Sequence, residues 1–178
     1  MRVGKDLTEK PIYSLTDGRL VGKVKDLYLD NNLERVVGLY LGSEGIFSRK
    51  NMLITRDQVT LFGVDAVLVA GSDVVVEEVQ VTDMDTWVRR QDLAGRDVDT
   101  PGGTRVGIVG DILVNDEGTV VGFKLARTFV EGPISRKHAI SREVVVDTGG
   151  ADGVMTIDLA APSSSIWVLS RVLLTAPS

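Results

Sequence analysis

Two short basic clusters are the residues of this chain whose types and spacing are best suited to binding. Ser48-Arg49-Lys50 returns 87 positions later as Ser135-Arg136-Lys137, and the second cluster continues into His138, the chain's single histidine. Arginine and lysine side chains together hold carboxylate or phosphate groups and orient acidic partners. The alternative is that each cluster is an ordinary solvated loop, and the sequence leaves both interpretations open.

Catalytic chemistry has fewer candidates. Asp26 and Asp111 each follow a glycine by four positions, and a pair of aspartates is a possible acid and base. Neither has a catalytic partner at a suitable spacing, so we interpret both as aspartates that accept backbone N–H bonds at a bend. With no cysteine and one histidine, the chain offers neither a thiolate nucleophile nor a multi-histidine metal site. We therefore expect a protein that is not an enzyme and uses no metal or cofactor.

Two loop motifs are better explained as turns. Residues 115–118, Asn-Asp-Glu-Gly, lack the ligand series and the terminal glutamate of a calcium loop, so they predict a hairpin connection. Gly102-Gly103 precedes a stretch rich in valine and isoleucine. A phosphate loop needs a helix after its glycines, so this motif is also interpreted as a turn.

The elements that must position these residues occur twice. Asp26-Leu27-Tyr28-Leu29-Asp30 returns as Asp111-Ile112-Leu113-Val114-Asn115, and Gly22 and Gly38 return as Gly107 and Gly122. The chain therefore reads as two copies of one small unit. The predicted boundaries are a domain at 1–80, a linker at 81–91, a domain at 92–162 and a C-terminal segment at 163–178.

Each copy has the pattern of short strands separated by turns, which predicts an all-β fold. Residues 20–30 predict a long, bent strand with a bulge near Gly22, and residues 105–115 repeat it. The linker carries acidic residues first and arginines last, which favours a short helix. For residues 165–174 the choice between helix and strand stays open. Trp87 and Trp167 are expected to pack between the domains, the alternative being an exposed interaction surface.

Charge and hydropathy narrow the classes of partner. The net charge of −5 is spread evenly, with −2 over residues 1–80 and −3 over residues 81–178. Neither half is basic, so nucleic-acid binding is not expected. The sequence contains no run of about 18–20 apolar residues, so no membrane span is predicted. Its first residues do not have the pattern of a signal peptide. The expected location is the cytoplasm.

The first copy resembles the PRC-barrel family. The residues that carry the resemblance are Ile12-Tyr13, Asp17-Gly18, the run from Val21 to Asp30, and Arg35-Val36-Val37-Gly38-Leu39. The second copy keeps this pattern but places Ile108-Val109-Gly110 where the first has Lys23-Val24-Lys25. The resemblance covers residues 4–80 and 90–160. It implies two small, strongly bent β-barrels in tandem, joined by a short helical linker, and it supplies no catalytic residues.

These observations predict a non-catalytic protein-interaction or adaptor module built from two PRC-barrel-like domains. The predicted binding residues are Arg49, Lys50, Arg136, Lys137 and His138, with Phe47 and Phe129-Val130 as apolar anchors. The alternative is a regulatory module that binds a small ligand or anion in a groove between the barrels. The expected partner is another protein, and the duplication predicts a pseudo-dimer within one chain. A homo-oligomer is also possible.

Overall fold

The computed structural model describes residues 1–150 and 153–160, and these residues are mostly β-strand. The strands of the first half are β1 (Arg2–Val3), β2 (Pro11–Ser14), β3 (Leu20–Lys23), β4 (Asp26–Leu29), β5 (Val36–Glu44), β6 (Lys50–Thr55), β7 (Val59–Phe62), β8 (Val67–Val69) and β9 (Val76–Glu77). The elements of the second half are β10 (Val88–Arg89), α1 (Arg90–Leu93), β11 (Asp97–Asp99), β12 (Arg105–Val114), β13 (Val120–Thr128), α2 (Pro133–Lys137), β14 (Ala139–Ser141), β15 (Val145–Asp147) and β16 (Met155–Ile157). The β class predicted from the sequence is confirmed.

The α-helices of the described part are short. Helix α1 has four residues and α2 has five. Neither approaches the roughly 20 residues needed to cross a bilayer, and no other described helix is long and apolar enough to do so.

The strands form three sheets, and the two halves pair their strands in the same order. The first half contains the orders β3-β2-β8-β7 and β4-β5-β6, and the second contains β12-β11-β16-β15 and β12-β13-β14. The pairing of β2 with β8 is parallel, and so is that of β11 with β16. The match extends to the 3-10 turns after β6 and β14, at residues 56–58 and 142–144.

The predicted long strand is continuous in the second half only. There it is β12, whereas in the first half it divides into β3 and β4, which lie in different sheets. A bulge shifts the register of β3 beside Gly22, as predicted. In β12, Gly110 keeps the strand close to β13, because a Cβ at this position would lie 3.1 Å from the Ala126 nitrogen. The first half has Lys25 at the corresponding position, and its chain leaves the ladder there.

One hydrophobic core serves both halves. A single cluster of buried side chains draws on β2, β4, β5 and β8 of the first half and on β11, β12, β13 and β16 of the second. Valine, leucine and isoleucine fill most of it, and Phe62 and Phe123 are its buried phenylalanines. Burial of apolar surface therefore stabilises the association of the halves as well as each half.

The linker differs from the predicted helix. Residues 84–86 form a 3-10 turn, β10 follows as an extended pair, and α1 begins at Arg90. The chain is extended at Val88 because it adds to the edge of β4 there. Trp87 is half-buried against Tyr28, with ring centroids 5.7 Å apart, so it packs on the first half. Trp167 and the segment 163–178 lie outside the described residues.

The packing of Trp87 predicts a partly protected fluorophore. In a Trp167→Phe variant, all tryptophan emission comes from Trp87, and acrylamide should quench it clearly less than it quenches free indole. The physical reason is the contact of Trp87 with Tyr28 and with the backbone at Gly38, where a Cβ would lie 3.2 Å from the indole ring. Quenching equal to that of free indole would contradict this packing.

Candidate interaction surfaces

The first predicted basic cluster lies at the tip of the β5–β6 hairpin. Arg49 is exposed in the loop, and Lys50 is the first residue of β6. The Nζ atom of Lys50 lies 2.8 Å from Oε1 of Glu77 in β9. Both side chains are exposed, and the ion pair neutralises part of the charge of Lys50.

The second predicted cluster adopts a different local structure. Arg136 and Lys137 end helix α2, and His138 caps it in the left-handed region, with φ of 50°. Arg136 and His138 are exposed, whereas Lys137 is partly buried. The two clusters border different sheets, since β6 belongs to the five-stranded sheet and β14, which follows α2, belongs to the seven-stranded one.

Between β5 and β6 the loop of residues 45–49 forms what we call the β5–β6 arm. Its Ile46 and Phe47 side chains are 93% and 103% exposed. The position that corresponds to Phe47 in the second half is Ile134, one residue before the repeated Ser-Arg-Lys, and Ile134 is only 4% exposed. The same place in the repeat thus holds a core residue in one half and a solvated phenylalanine in the other.

The other predicted apolar anchors are engaged within the protein. The Phe129 ring lies beneath the guanidinium group of Arg105 at 4.5 Å and near that of Arg127 at 5.7 Å. Val130 packs against the core. Of the three predicted anchors, Phe47 is the most exposed.

The boundary between the halves is built by exchange of strands. Strand β1, the first strand of the first half, pairs antiparallel with β12, so that Arg2 lies opposite Val114. Strand β10, the first strand of the second half, pairs antiparallel with β4, so that Val88 lies opposite Leu29. The two pairings are equivalent in the repeat. Each half therefore completes the sheet of the other.

A second reciprocal contact joins the hairpin connections. The backbone nitrogen of Val36 donates to the Gly118 carbonyl oxygen, and that of Val120 donates to the Glu34 carbonyl oxygen, both at 2.8 Å. Arginines from the two 3-10 turns support this contact: Nη2 of Arg56 donates to the backbone of Glu117 at 2.9 Å. In the equivalent bond, Nη2 of Arg142 donates to the backbone of Asn32 at 2.7 Å.

Four charged side chains meet between the exchanged strands, and we call them the Asp–Arg cluster: Asp26, Arg89, Arg90 and Asp111. Nε of Arg89 lies 3.1 Å from Oδ2 of Asp26, and Nε of Arg90 lies 3.0 Å from Oδ1 of Asp26. Nη1 of Arg90 reaches Oδ1 of Asp111 at 2.9 Å. Both aspartates are buried. Burial acts to lower the pKa of Arg90, but the carboxylates of Asp111 and Asp26 outweigh it and raise that pKa.

The two aspartates also accept backbone N–H bonds, in equivalent ways. The Gln91 nitrogen donates to Oδ2 of Asp26 at 3.3 Å, and the Lys5 nitrogen donates to Oδ2 of Asp111 at 3.0 Å. This confirms the interpretation of both residues as acceptors for the backbone. The donors, however, come from the other half, so the aspartates join the halves as well as shaping a bend.

The cluster is asymmetric at one position. Arg90 corresponds in the repeat to Gly4, and a Cβ at Gly4 would lie 2.7 Å from Cδ of Arg90 and 2.6 Å from Cγ1 of Ile112. The space between the aspartates thus holds one arginine, supplied by the second half. Sequence reasoning assigned Arg89 and Arg90 to a helix end and did not find this role. The repeat of Asp6-Leu7 as Asp92-Leu93 could have indicated this asymmetry, because it aligns Gly4 with Arg90.

The first half, with its β5–β6 arm and its reciprocal strand pairing, is also the part that matches a known family. The model of the PRC-barrel domain matches residues 3–81. Residues 3–81 are a PRC-barrel domain. The search of curated proteins gives no match to this chain. The PRC-barrel domain contains Asp26, Phe47, Arg49 and Lys50, whereas Arg90 and the α2 cluster lie outside the matched residues.

Proposed function

We propose that this chain is a non-catalytic protein-interaction module made of two PRC-barrel-like units, which form a pseudo-dimer through exchanged strands. The observation that carries the proposal is the β5–β6 arm, which presents a fully exposed phenylalanine next to Arg49. The matched strand orders of the halves support the second unit. The reciprocal pairings of β1 and β10 support the pseudo-dimer.

The arm has the composition of a binding anchor. Burial of a phenylalanine side chain in a partner's pocket contributes roughly 1.5–3 kcal/mol, and anchors of this kind carry most of the energy of an interface. Arg49 adds orientation toward an acidic partner, at roughly 0–1 kcal/mol for an exposed charge. Phe47 therefore provides most of the affinity, and the neighbouring cation provides direction.

A photo-crosslinking experiment tests the arm. With a benzophenone side chain at position 47, we expect discrete adducts with a protein of the producing organism. Placed at Val64, which is 80% exposed, the same group serves as the control and should not give them. Arg49→Ala should reduce the adducts a few-fold, and Phe47→Ala should leave the thermal midpoint unchanged. The same adducts from both positions would show that the arm has no specific partner.

A second candidate function uses the boundary between the halves. A cavity of about 400 Å³ opens there, lined by Glu34, Arg35, Val36, Arg56, Glu117 and Thr119. Residues from both halves line it, as expected for a ligand-binding groove between the units. Its two arginines are matched by two glutamates, so the lining has no net charge to attract an anion. Interaction through the arm is therefore the function we favour.

A further inference from the structure

The sheet of order β3-β2-β8-β7 has an apolar outer face. Leu20 of β3 lies opposite Tyr13 of β2, Tyr13 lies beside Leu68 of β8, and Leu68 lies opposite Leu61 of β7. The four side chains thus form one continuous row across all four strands, which we call the outer row. Leu20, Tyr13 and Leu61 are 38–59% exposed, and Leu15 extends the apolar surface beyond Tyr13.

The outer row points away from the core. In β2 the neighbours of Tyr13, Ile12 and Ser14, are buried, and the neighbours of Leu68 are buried as well. The inner face of this sheet is therefore already covered by the shared core. An apolar sheet face is stable when a second layer covers it, and among the described residues the outer row remains accessible to solvent.

The second half shows that the fold does not require this row to be apolar. The sheet of order β12-β11-β16-β15 has the same pairing, with Arg105 opposite Asp99, Asp99 beside Thr156, and Thr156 opposite Asp147. The equivalent row is therefore polar at all four positions. Since the same topology accommodates either composition, the apolar row of the first half points to recognition and not to folding.

The area of the outer row determines which kind of partner can cover it. Four strands spaced about 4.8 Å apart, each with four residues or fewer, give a face of about 14 Å by 13 Å. A stable protein–protein interface buries about 800 Å² on each partner, several times this face, so a second copy of the chain docked here would lack sufficient contact. A helix is about 10–12 Å wide, and nine of its residues span about 13 Å.

We infer that the outer row is a docking surface for an amphipathic helix of a partner protein, with the apolar side of the helix on Leu20, Tyr13, Leu68 and Leu61. This surface is distinct from the β5–β6 arm, which extends from the five-stranded sheet. The inference does not depend on the function proposed for the arm. It gives the module a second contact whose partner has apolar residues at positions i, i+3, i+4 and i+7.

The test is a titration of the full chain with a synthetic 12-residue peptide of leucine, glutamate, alanine and lysine whose leucines follow this helical spacing. A peptide of the same composition in scrambled order is the matched control. Methyl NMR signals of Leu15, Leu20, Leu61 and Leu68 should shift saturably with the helical peptide and remain unchanged with the scrambled one.

A variant that carries the second half's residues at the four positions tests whether the outer row binds the peptide. Tyr13→Asp, Leu20→Arg, Leu61→Asp and Leu68→Thr together give the first half the residues of the second half's row, and they should weaken peptide binding at least tenfold. If the combined variant does not fold, the single variant Leu20→Arg, at an exposed position, is measured in its place. It should weaken peptide binding several-fold. Three results would overturn the inference. They are equal binding of both peptides, unchanged peptide binding by the folded variants, and signal shifts of these leucines on dilution without peptide, which would indicate self-association.

Discussion

Replacement of Asp26 by alanine is expected to lower the free energy of unfolding by about 3–5 kcal/mol, the usual cost of removing one partner from a buried ion pair. Asp26 is buried and accepts bonds from both Arg89 and Arg90. Without this carboxylate, Arg89 loses its ion-pair partner, Arg90 keeps Asp111 alone, and the Gln91 nitrogen loses its acceptor. Chemical denaturation followed by circular dichroism measures the effect.

The chain provides a matched control for this prediction. Asp97 pairs with Arg105 at 3.0 Å, the distance that also joins Asp26 to Arg90, but both members of that pair are about half exposed. Asp97→Ala should therefore change the free energy of unfolding by about 1 kcal/mol or less. If the two alanine variants lost equal stability, burial of the Asp–Arg cluster would not be the cause.

Transfer of the arginine from position 90 to position 4 should restore part of the stability that Arg90→Ala removes. Arg90→Ala leaves Asp111 and Asp26 without their shared arginine, at a cost of about 3–5 kcal/mol. Gly4→Arg alone crowds Arg90 and Ile112, at a cost of about 1–3 kcal/mol. In the double variant the arginine comes from the first half, and it should recover part of the loss caused by Arg90→Ala, while the crowding of Ile112 remains.

The reason is the reciprocal geometry of the boundary. Lys5 and Gln91 bond equivalent aspartates, so the residues that precede them, at positions 4 and 90, approach the same space from opposite sides. Gly4 does not have a positive φ, so its backbone conformation suits an arginine, although its Cβ would still lie 2.6 Å from Cγ1 of Ile112. Denaturation of the two single variants and the double variant yields the coupling energy directly. Losses that simply add would contradict a shared site.

Much of the fold follows from local sequence patterns. The run around Asp26 and its repeat around Asp111 became β4 and the end of β12, and the bulge beside Gly22 lies where the glycine predicted it. The residues 115–118 form the predicted hairpin connection between β12 and β13. These features depend on alternation and turn chemistry, which are visible in a few consecutive residues.

The features that sequence reasoning missed depend on distant partners. Strands β1 and β10 have two residues each, too few to show a period, and they are extended because β12 and β4 bind them. The outer row was not predicted either, because its members meet only through the strand order. Phe47 is exposed whereas Ile134 is buried, because the two loops fold differently. The Ser-Arg-Lys sequence that they share does not reveal this difference.

The exchange of β1 has a consequence for the order in which the protein folds during synthesis. Arg2 pairs with Val114, so β1 must wait for 112 further residues of the chain before its partner has been synthesised. At 5–20 residues per second, that delay is roughly 6–22 s. The Asp26 carboxylate also waits for its cations, since Arg89 and Arg90 follow it by 63 and 64 residues. We therefore expect the PRC-barrel domain to complete its sheets only after the second half of the chain has emerged.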